Sequence, residues 1–97
     1  MAITITLERL SHVVDRHTPG GARNRNASTF FQEEDIAALI NKADQIAPTS
    51  LPFGRRLRAA DAGRPIGIDA RTGQPSALYT VITDARDRLI TAFPGVP

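Results

Sequence analysis

The sequence predicts an α+β fold in which two N-terminal helices pack on one face of a C-terminal antiparallel sheet of about four strands. In the first half, apolar residues recur every three to four positions, as on one face of a helix. In the second half, proline and glycine separate short apolar runs, as expected of hairpins. The 97 residues suit one domain (1–97) with one modest core.

The first predicted helix begins at Leu7. Residues 3–6 alternate isoleucine with threonine, which indicates either a short lead-in strand or a frayed end. A Pro-Gly-Gly segment at 19–21 ends the helix, and residues 18–28 form a polar loop. The predicted apolar face consists of Leu7, Leu10, Val13 and Val14.

The second predicted helix follows an extended segment at residues 28–31 and ends at Pro48. An acidic triplet at 33–35 favours a helix start, where negative charge meets the positive end of the helix dipole. Its predicted buried face consists of Ile36, Leu39, Ile40, Ala43 and Ile46.

Four strands are predicted in the second half, at 55–60, 64–69, 77–84 and 88–93, with the last three forming an antiparallel meander. The third is rich in β-branched and aromatic residues and is predicted to be central. The arginines of the first strand predict a solvated edge, since basic residues protect sheet edges. Contact with RNA is the alternative for Arg55, Arg56 and Arg58.

Composition excludes several classes of site. There is no cysteine, so disulfides and cysteine-ligated metals are excluded, and two histidines with scattered carboxylates make a poor zinc site. We therefore expect no metal and no cofactor. No apolar run approaches the roughly 20 residues of a membrane-spanning helix, and the N-terminus lacks the layout of a signal peptide.

The basic residues are of an unusual type. The net charge is only +2, but eleven of the twelve basic residues are arginine, which binds phosphate through two parallel hydrogen bonds. Segments 1–32 and 51–72 are basic and segment 33–50 is acidic, so two basic segments could face one ligand. The alternative is that an arginine-rich composition reflects genome base content.

Both histidines lie within one segment, His12 and His17, followed by two loop arginines, Arg23 and Arg25. Histidine can take and give a proton near neutral pH, which is what cleavage of a phosphodiester by acid–base catalysis requires. His17 is the first choice for the base and His12 the candidate acid or phosphate binder. His17 is predicted to lie at or just beyond the end of the helix. Five residues on an ideal helix separate two side chains by roughly 140°, so both histidines can face one site only if the helix ends before His17. The alternative is that His12 is a partly buried structural histidine.

Three segments together resemble a known group of proteins. They are residues 12–17 (His-Val-Val-Asp-Arg-His), residues 28–31 (Ser-Thr-Phe-Phe) before an acidic helix, and residues 89–94 (Leu-Ile-Thr-Ala-Phe-Pro). In this order they resemble the ribonuclease domains of bacterial polymorphic toxins, including those of contact-dependent inhibition and type VI secretion systems. The resemblance implies the fold shared by barnase, EndoU, colicin and RelE nucleases, or the similar arrangement of pancreatic-type ribonucleases.

The resemblance implies a metal-independent endoribonuclease toxin that cleaves RNA, with tRNA favoured, and leaves a 2′,3′-cyclic phosphate. Such domains are C-terminal parts of longer proteins, are delivered into the cytoplasm of target bacteria and are neutralised by a cognate immunity protein. We therefore expect a monomer or a heterodimer with that immunity protein. The resemblance gives Thr91 a role in contacting a phosphate or a base.

The remaining site residues follow from their positions. Phe93 is two residues beyond Thr91, hence on the same face of the strand, where it could stack on a base. Tyr79 could donate a hydrogen bond from the central strand. The alternative, which residue type favours for both Tyr79 and Phe93, is that they are core residues. Ser28 is a candidate local donor, and Arg23 and Arg25 are candidate phosphate clamps.

Two other functions fit the same residues. One is a non-catalytic module that binds nucleic acid or protein, in which both histidines are structural. The other is a ribonuclease of a toxin–antitoxin system, acting inside its own cell.

Overall fold

A computed structural model describes residues 3–17, 28–31 and 34–96, with the side chains of residues 14–16 left out. The fold is α+β, with both helices in the N-terminal half, as predicted. The elements are α1 (Leu7–His17), β1 (Thr29–Phe30), α2 (Ile36–Ala43), β2 (Thr49–Ser50), β3 (Arg56–Asp61), β4 (Gly67–Asp69), β5 (Gln74–Ser76), β6 (Leu78–Thr83) and β7 (Leu89–Pro94). A short 3-10 turn, Pro52–Gly54, joins β2 to β3. No described helix is long and apolar enough to cross a membrane.

The strands form two antiparallel sheets. One has four strands in the order β2-β3-β6-β7, and the other has three in the order β1-β4-β5. The predicted central strand is confirmed, since β6 pairs with both β3 and β7. The predicted meander of three strands is wrong for the first of them, residues 64–69, because β4 pairs with β5 and not with β6. The backbone N–H of Gly73 donates to the carbonyl of Asp69 at 2.7 Å, and this tight turn folds β5 back onto β4 before β6 begins.

Helix α1 runs along β7. The N–H of Thr4 donates to the carbonyl of Asp87, and the N–H of Leu89 donates to the carbonyl of Thr4, both at 2.8 Å. The lead-in segment is therefore paired in parallel with the chain that enters β7. At the other end of the helix, the ring of His17 lies against Phe93, close to the end of β7.

The apolar face of α1 is narrower than predicted. Val13 is fully buried and Leu10 packs against the core, but Leu7 is 86% exposed. On a helical wheel the buried residues Leu10, Val13 and His17 cluster within roughly 60°, and Leu7 lies roughly 90° from their centre. Leu7 is thus at the rim of the buried face, and its predicted burial is wrong.

Helix α2 begins and ends within the predicted segment. Asp35 caps its start, since its side chain accepts a hydrogen bond from the N–H of Ala38 at 3.1 Å. The helix ends at Ala43, five residues before Pro48. Its predicted buried face is confirmed for Ile36, Leu39, Ile40 and Ala43, while Ile46 packs on the core from beyond the helix.

The two helices contact residues of β6 and β7 that point to opposite faces. The hydroxyl of Tyr79 donates to the carbonyl of Leu39 in α2 at 2.7 Å. Tyr79 pairs with Pro94 across the sheet, whereas Phe93, which touches α1, pairs with Thr80. Paired residues share a face and neighbours along a strand alternate, so Tyr79 and Phe93 face opposite ways. Packing of both helices on one face is therefore not confirmed.

The arginines of β3 are not a solvated edge. The Arg58 guanidinium is buried, and its Nε donates to the carbonyl of Ile46 at 3.0 Å while one terminal nitrogen donates to Thr83 Oγ1 at 3.2 Å. Asp87 Oδ1 lies 3.4 Å from Arg58 and 3.1 Å from Arg56. The edge expectation is wrong because β2 pairs with β3 on the side away from β6, which makes β3 internal.

Candidate functional site

The two histidines of α1 lie together. Their ring centroids are 6.2 Å apart and the rings meet edge to face, at 78°. The helix ends at His17, as predicted. It includes His17, so the condition that it end before this residue is not met, yet the rings still meet. Five residues rise only about 7.5 Å along a helix, so two long side chains near its last turn can lean towards each other.

His17 is held in a defined orientation. Its side chain is 7% exposed, and its Nδ1 lies 2.7 Å from the carbonyl oxygen of Ser28. A carbonyl oxygen can only accept, so this contact assigns the hydrogen to Nδ1. The lone pair of the neutral ring is then on Nε2, which is the tautomer that a general base needs if it is to act through Nε2.

Ser28 connects three parts of the fold around His17. Its carbonyl accepts from α1, and its hydroxyl accepts from the backbone N–H of Ala70 at 2.8 Å, in the turn after β4. The next residue, Thr29, pairs with Ile68 of β4. Ser28 was predicted to be a local hydrogen-bond donor. In the structure both its carbonyl oxygen and its hydroxyl oxygen accept hydrogen bonds.

Phe93 and Thr91 lie on the α1 side of β7. The Phe93 ring is half-buried, with its centroid 5.7 Å from that of His17 and a tilt of 37°. Thr91 is two residues earlier in the same strand, hence on the same face. Its Oγ1 is buried and has no hydrogen-bond partner within the described part of the chain. An unpaired buried hydroxyl costs about 1–3 kcal/mol, so the core alone gives no reason for a threonine here.

Tyr79 is not part of this cluster. It is fully buried on the opposite face of the sheet, and its hydroxyl is bound to the carbonyl of Leu39. Burial raises the pKa of Tyr79 above its ordinary value of 10.0. The structure therefore places Tyr79 in the core and not with the histidines, so it is not the further donor expected for the site.

The other predicted site residues, Arg23 and Arg25, lie outside the described residues. Within residues 3–17, 28–31 and 34–96, no three His, Asp or Glu side chains come together as a metal site would require. The Ser28 carbonyl and the Ala70 N–H were not predicted from the sequence. Both are backbone groups, which leave no residue-type signal in a sequence.

The described contacts therefore join three predicted site residues, His12, His17 and Phe93, with Ser28 behind His17, and Thr91 lies two residues before Phe93 on the same face of β7. Together these residues offer two groups that can exchange protons and one unpaired hydroxyl beside an aromatic ring. A comparison of the chain with protein-family models, curated proteins and solved structures finds no match.

Proposed function

We propose that the chain is a metal-independent endoribonuclease domain that cleaves RNA by histidine acid–base catalysis. The observation that carries the proposal is the pair of imidazole rings 6.2 Å apart, one of them oriented through Nδ1 by the Ser28 carbonyl. An imidazole can both take and give a proton, so two of them at this separation can serve the two oxygens of one phosphodiester.

In the proposed reaction, Nε2 of His17 takes the proton from the ribose 2′-hydroxyl. The 2′-oxygen attacks phosphorus, the bond from phosphorus to the 5′-oxygen breaks, and His12 gives a proton to the departing 5′-oxygen. The products are a 2′,3′-cyclic phosphate and a free 5′-hydroxyl. Arg23 and Arg25 are proposed to hold the charge that develops on the phosphorane.

Thr91 and Phe93 are proposed to bind the substrate beside the histidines. The hydroxyl of Thr91 is buried and unpaired, so we propose that substrate binding uncovers it and supplies the missing hydrogen bond, to a phosphate or base. Phe93 already packs on the His17 ring, so a nucleobase stacked on Phe93 would lie next to His17, the proposed proton acceptor.

The biological setting follows from the resemblance to polymorphic-toxin ribonucleases. On that basis we propose a toxin domain that prefers tRNA, acts in the cytoplasm of target bacteria and is bound by a cognate immunity protein. The helices would pack on the sheet as in those nucleases. A toxin–antitoxin ribonuclease acting in its own cell would use the same residues.

One observation favours a second candidate, a non-catalytic binding module. His17 is nearly buried and hydrogen-bonded, as structural histidines commonly are. In that case His17 would stabilise the junction of α1 with β1, and its removal would lower stability without any loss of catalysis.

Incubation of the purified domain with total RNA in EDTA tests the proposal. The comparison uses wild type, His17→Ala, His12→Ala and Thr91→Ala, with Lys42→Ala on exposed α2 surface as a matched control. We expect 2′,3′-cyclic phosphate ends from the wild type and the control. Loss of a general acid or base should lower the cleavage rate by about 10²–10⁴-fold.

Circular dichroism and thermal unfolding must show that the variants are folded at the assay temperature. Cleavage that depends on both histidines in folded variants would exclude the binding module. RNA left intact by a folded wild type, or cleaved equally by all variants, would contradict the nuclease proposal.

A further inference from the structure

The hairpin between β2 and β3 presents an exposed aromatic side chain. Phe53, in the Pro52–Gly54 turn, is 97% exposed and has φ 65° and ψ 26°. The hairpin is closed below it by a hydrogen bond from the N–H of Leu51 to the carbonyl of Arg55 at 2.8 Å. A bulky residue with positive φ is an outlier, so the fold holds a large apolar ring in water at a conformational cost.

One exposed arginine follows this turn in the chain, and a second lies in a neighbouring turn. Arg55 follows the turn directly, and its side chain makes no hydrogen bond or ion pair with any other described residue. A Cβ added to Gly54 would lie 3.5 Å from that of Ala85, so the hairpin tip contacts the turn that joins β6 to β7. Arg86 in that turn is exposed, and within the described chain its side chain also has no partner. Phe53, Arg55 and Arg86 are called the Phe53 patch below.

The charge of the Phe53 patch is not neutralised locally. Asp84 is bound by the Arg88 side chain at 2.7 Å, and Asp87 is bound by Arg56 and Arg58. The two carboxylates of this turn are thus already paired. With respect to residues 3–17, 28–31 and 34–96, Arg55 and Arg86 remain as unpaired positive charge, which favours an anionic ligand.

The Phe53 patch is remote from the histidines. It lies beside the turn that enters β7 at Leu89, whereas His17 lies beside Phe93 near the end of that strand. Four residues of extended chain span roughly 13 Å. One ligand contacting both places would have to be longer than a single nucleotide.

We propose that the Phe53 patch is a second, non-catalytic binding site for single-stranded RNA. A base would stack on the exposed Phe53 ring, and Arg55 and Arg86 would bind the flanking phosphates. This goes beyond the proposed cleavage site and holds whether or not the histidines are catalytic.

The size of the patch favours RNA over a protein. A stable protein interface buries about 800 Å² on each partner around an apolar centre. Among the described residues, the other exposed large apolar side chains are Leu7 and Leu78, which are not on this hairpin. One exposed ring with two arginines nearby in the fold is too small for such an interface but sufficient for a stacked base.

Fluorescence anisotropy with a labelled 2′-O-methyl oligouridylate of about 12 nucleotides tests the proposal, since a binding site of this kind covers 4–16 nucleotides. The probe has no free 2′-hydroxyl, so the proposed reaction cannot cleave it. Phe53→Asn removes the ring but tolerates the positive φ, and Phe53→Tyr retains the ring. Arg55→Gln with Arg86→Gln removes the charge, and Lys42→Gln is the matched charge control.

We expect Phe53→Asn to weaken binding by about tenfold, near the lower end of what one stacked base contributes. Phe53→Tyr and Lys42→Gln should remain within about twofold of wild type. An abasic oligonucleotide of the same length should bind the wild type as weakly as the oligouridylate binds Phe53→Asn, because it offers nothing to stack.

Several outcomes would overturn the proposal. The first is that the wild type does not bind the oligouridylate, and the second is that Phe53→Asn binds it as tightly as the wild type. The third is that binding of a polyglutamate peptide depends on Phe53 while binding of the RNA probe does not. The last result would assign the patch to an acidic protein. Phe53→Asn should leave cleavage of a dinucleotide unchanged, because a dinucleotide is too short to contact both places. Weaker oligouridylate binding with unchanged dinucleotide cleavage supports the Phe53 patch by itself, so failure of either proposal is visible without the other.

Discussion

The buried ion pair of Asp87 should be the most sensitive charged site in the fold. Asp87 Oδ1 lies 3.4 Å from the buried guanidinium of Arg58 and 3.1 Å from that of Arg56. Asp87→Asn removes the charge while keeping the size and tolerating the φ of 58°. It leaves Arg58 buried with neutral acceptors only, the carbonyl of Ile46 and the hydroxyl of Thr83.

We expect this substitution to lower the free energy of unfolding by about 3 kcal/mol. Coulomb attraction at 3.4 Å is roughly 5 kcal/mol at an effective dielectric constant of 20, an upper bound because the amide retains part of the interaction. Removing one member of a buried pair typically costs 3–5 kcal/mol. For a chain of this length, a loss of 3 kcal/mol lowers the melting temperature by roughly 12–24 °C.

Urea unfolding of a double-mutant cycle measures the effect. Arg58→Met removes the buried cation, so Asp87→Asn should cost about 1–3 kcal/mol less in that background than in the wild type. Asp84→Asn, which breaks the exposed pair with Arg88, serves as a control. A loss below about 0.5 kcal/mol for Asp87→Asn, or strictly additive changes, would refute the idea that Arg58 depends on Asp87.

Three further substitutions test other features. Gly67→Ala should destabilise the fold by about 1–3 kcal/mol, because the added Cβ would overlap the carbonyl oxygen of Thr29; an unchanged melting curve would contradict the close approach of β1 to β4. Tyr79→Phe should cost about 1–2 kcal/mol in urea unfolding. Tyr79 is the single tyrosine, so ultraviolet absorbance can follow its ionisation, which should occur above pH 10.0. The stability that comes from its raised pKa should be present below pH 10.0 and lost as pH rises through the folded pKa. Ionisation at pH 10.0 would instead indicate an exposed hydroxyl. The backbone N–H of Arg88 lowers the pKa of Asp84, so the stability that this hydrogen bond gives is present above pH 3.8 and is lost as pH falls further. Asp84→Asn should therefore lose less stability than wild type when the protein is acidified. Equal losses of stability would exclude Asp84 as the source.

Local patterns predicted the elements better than their pairing. The buried face of α2 and the central position of β6 followed from residue spacing and type, because a helix face and a buried strand each have their own periodicity. Glycine and proline also indicated that the chain reverses between residues 64–69 and 77–84, where the turn at Gly73 lies. The hairpin partner of β4 was not predicted, because turn residues specify a reversal without specifying which later segment returns to the strand.

Long-range partners explain the remaining errors. Arg58 was interpreted as solvated because a lone cation on a strand usually is, and its buried partner Asp87 is 29 residues away. Tyr79 was placed with the histidines, but Tyr79, Thr80 and Val81 are all buried. A strand buried on both faces shows no alternation, so the sequence cannot indicate which face meets α1.

The pairing of Thr4 beside β7 has a consequence for solubility. Strand β7 is the outermost strand of its sheet, and its sequence is rich in β-forming residues. An uncovered strand of this kind can pair with the same strand of another molecule and start aggregation. The carbonyl of Thr4 accepts a hydrogen bond from the N–H of Leu89, at the start of the strand. Further along the strand, α1 contacts it through His17 and Phe93. Residues 3–6 thus protect the edge of the sheet from pairing with another molecule. Removing them would expose the edge of a strand that also carries Thr91 and Phe93.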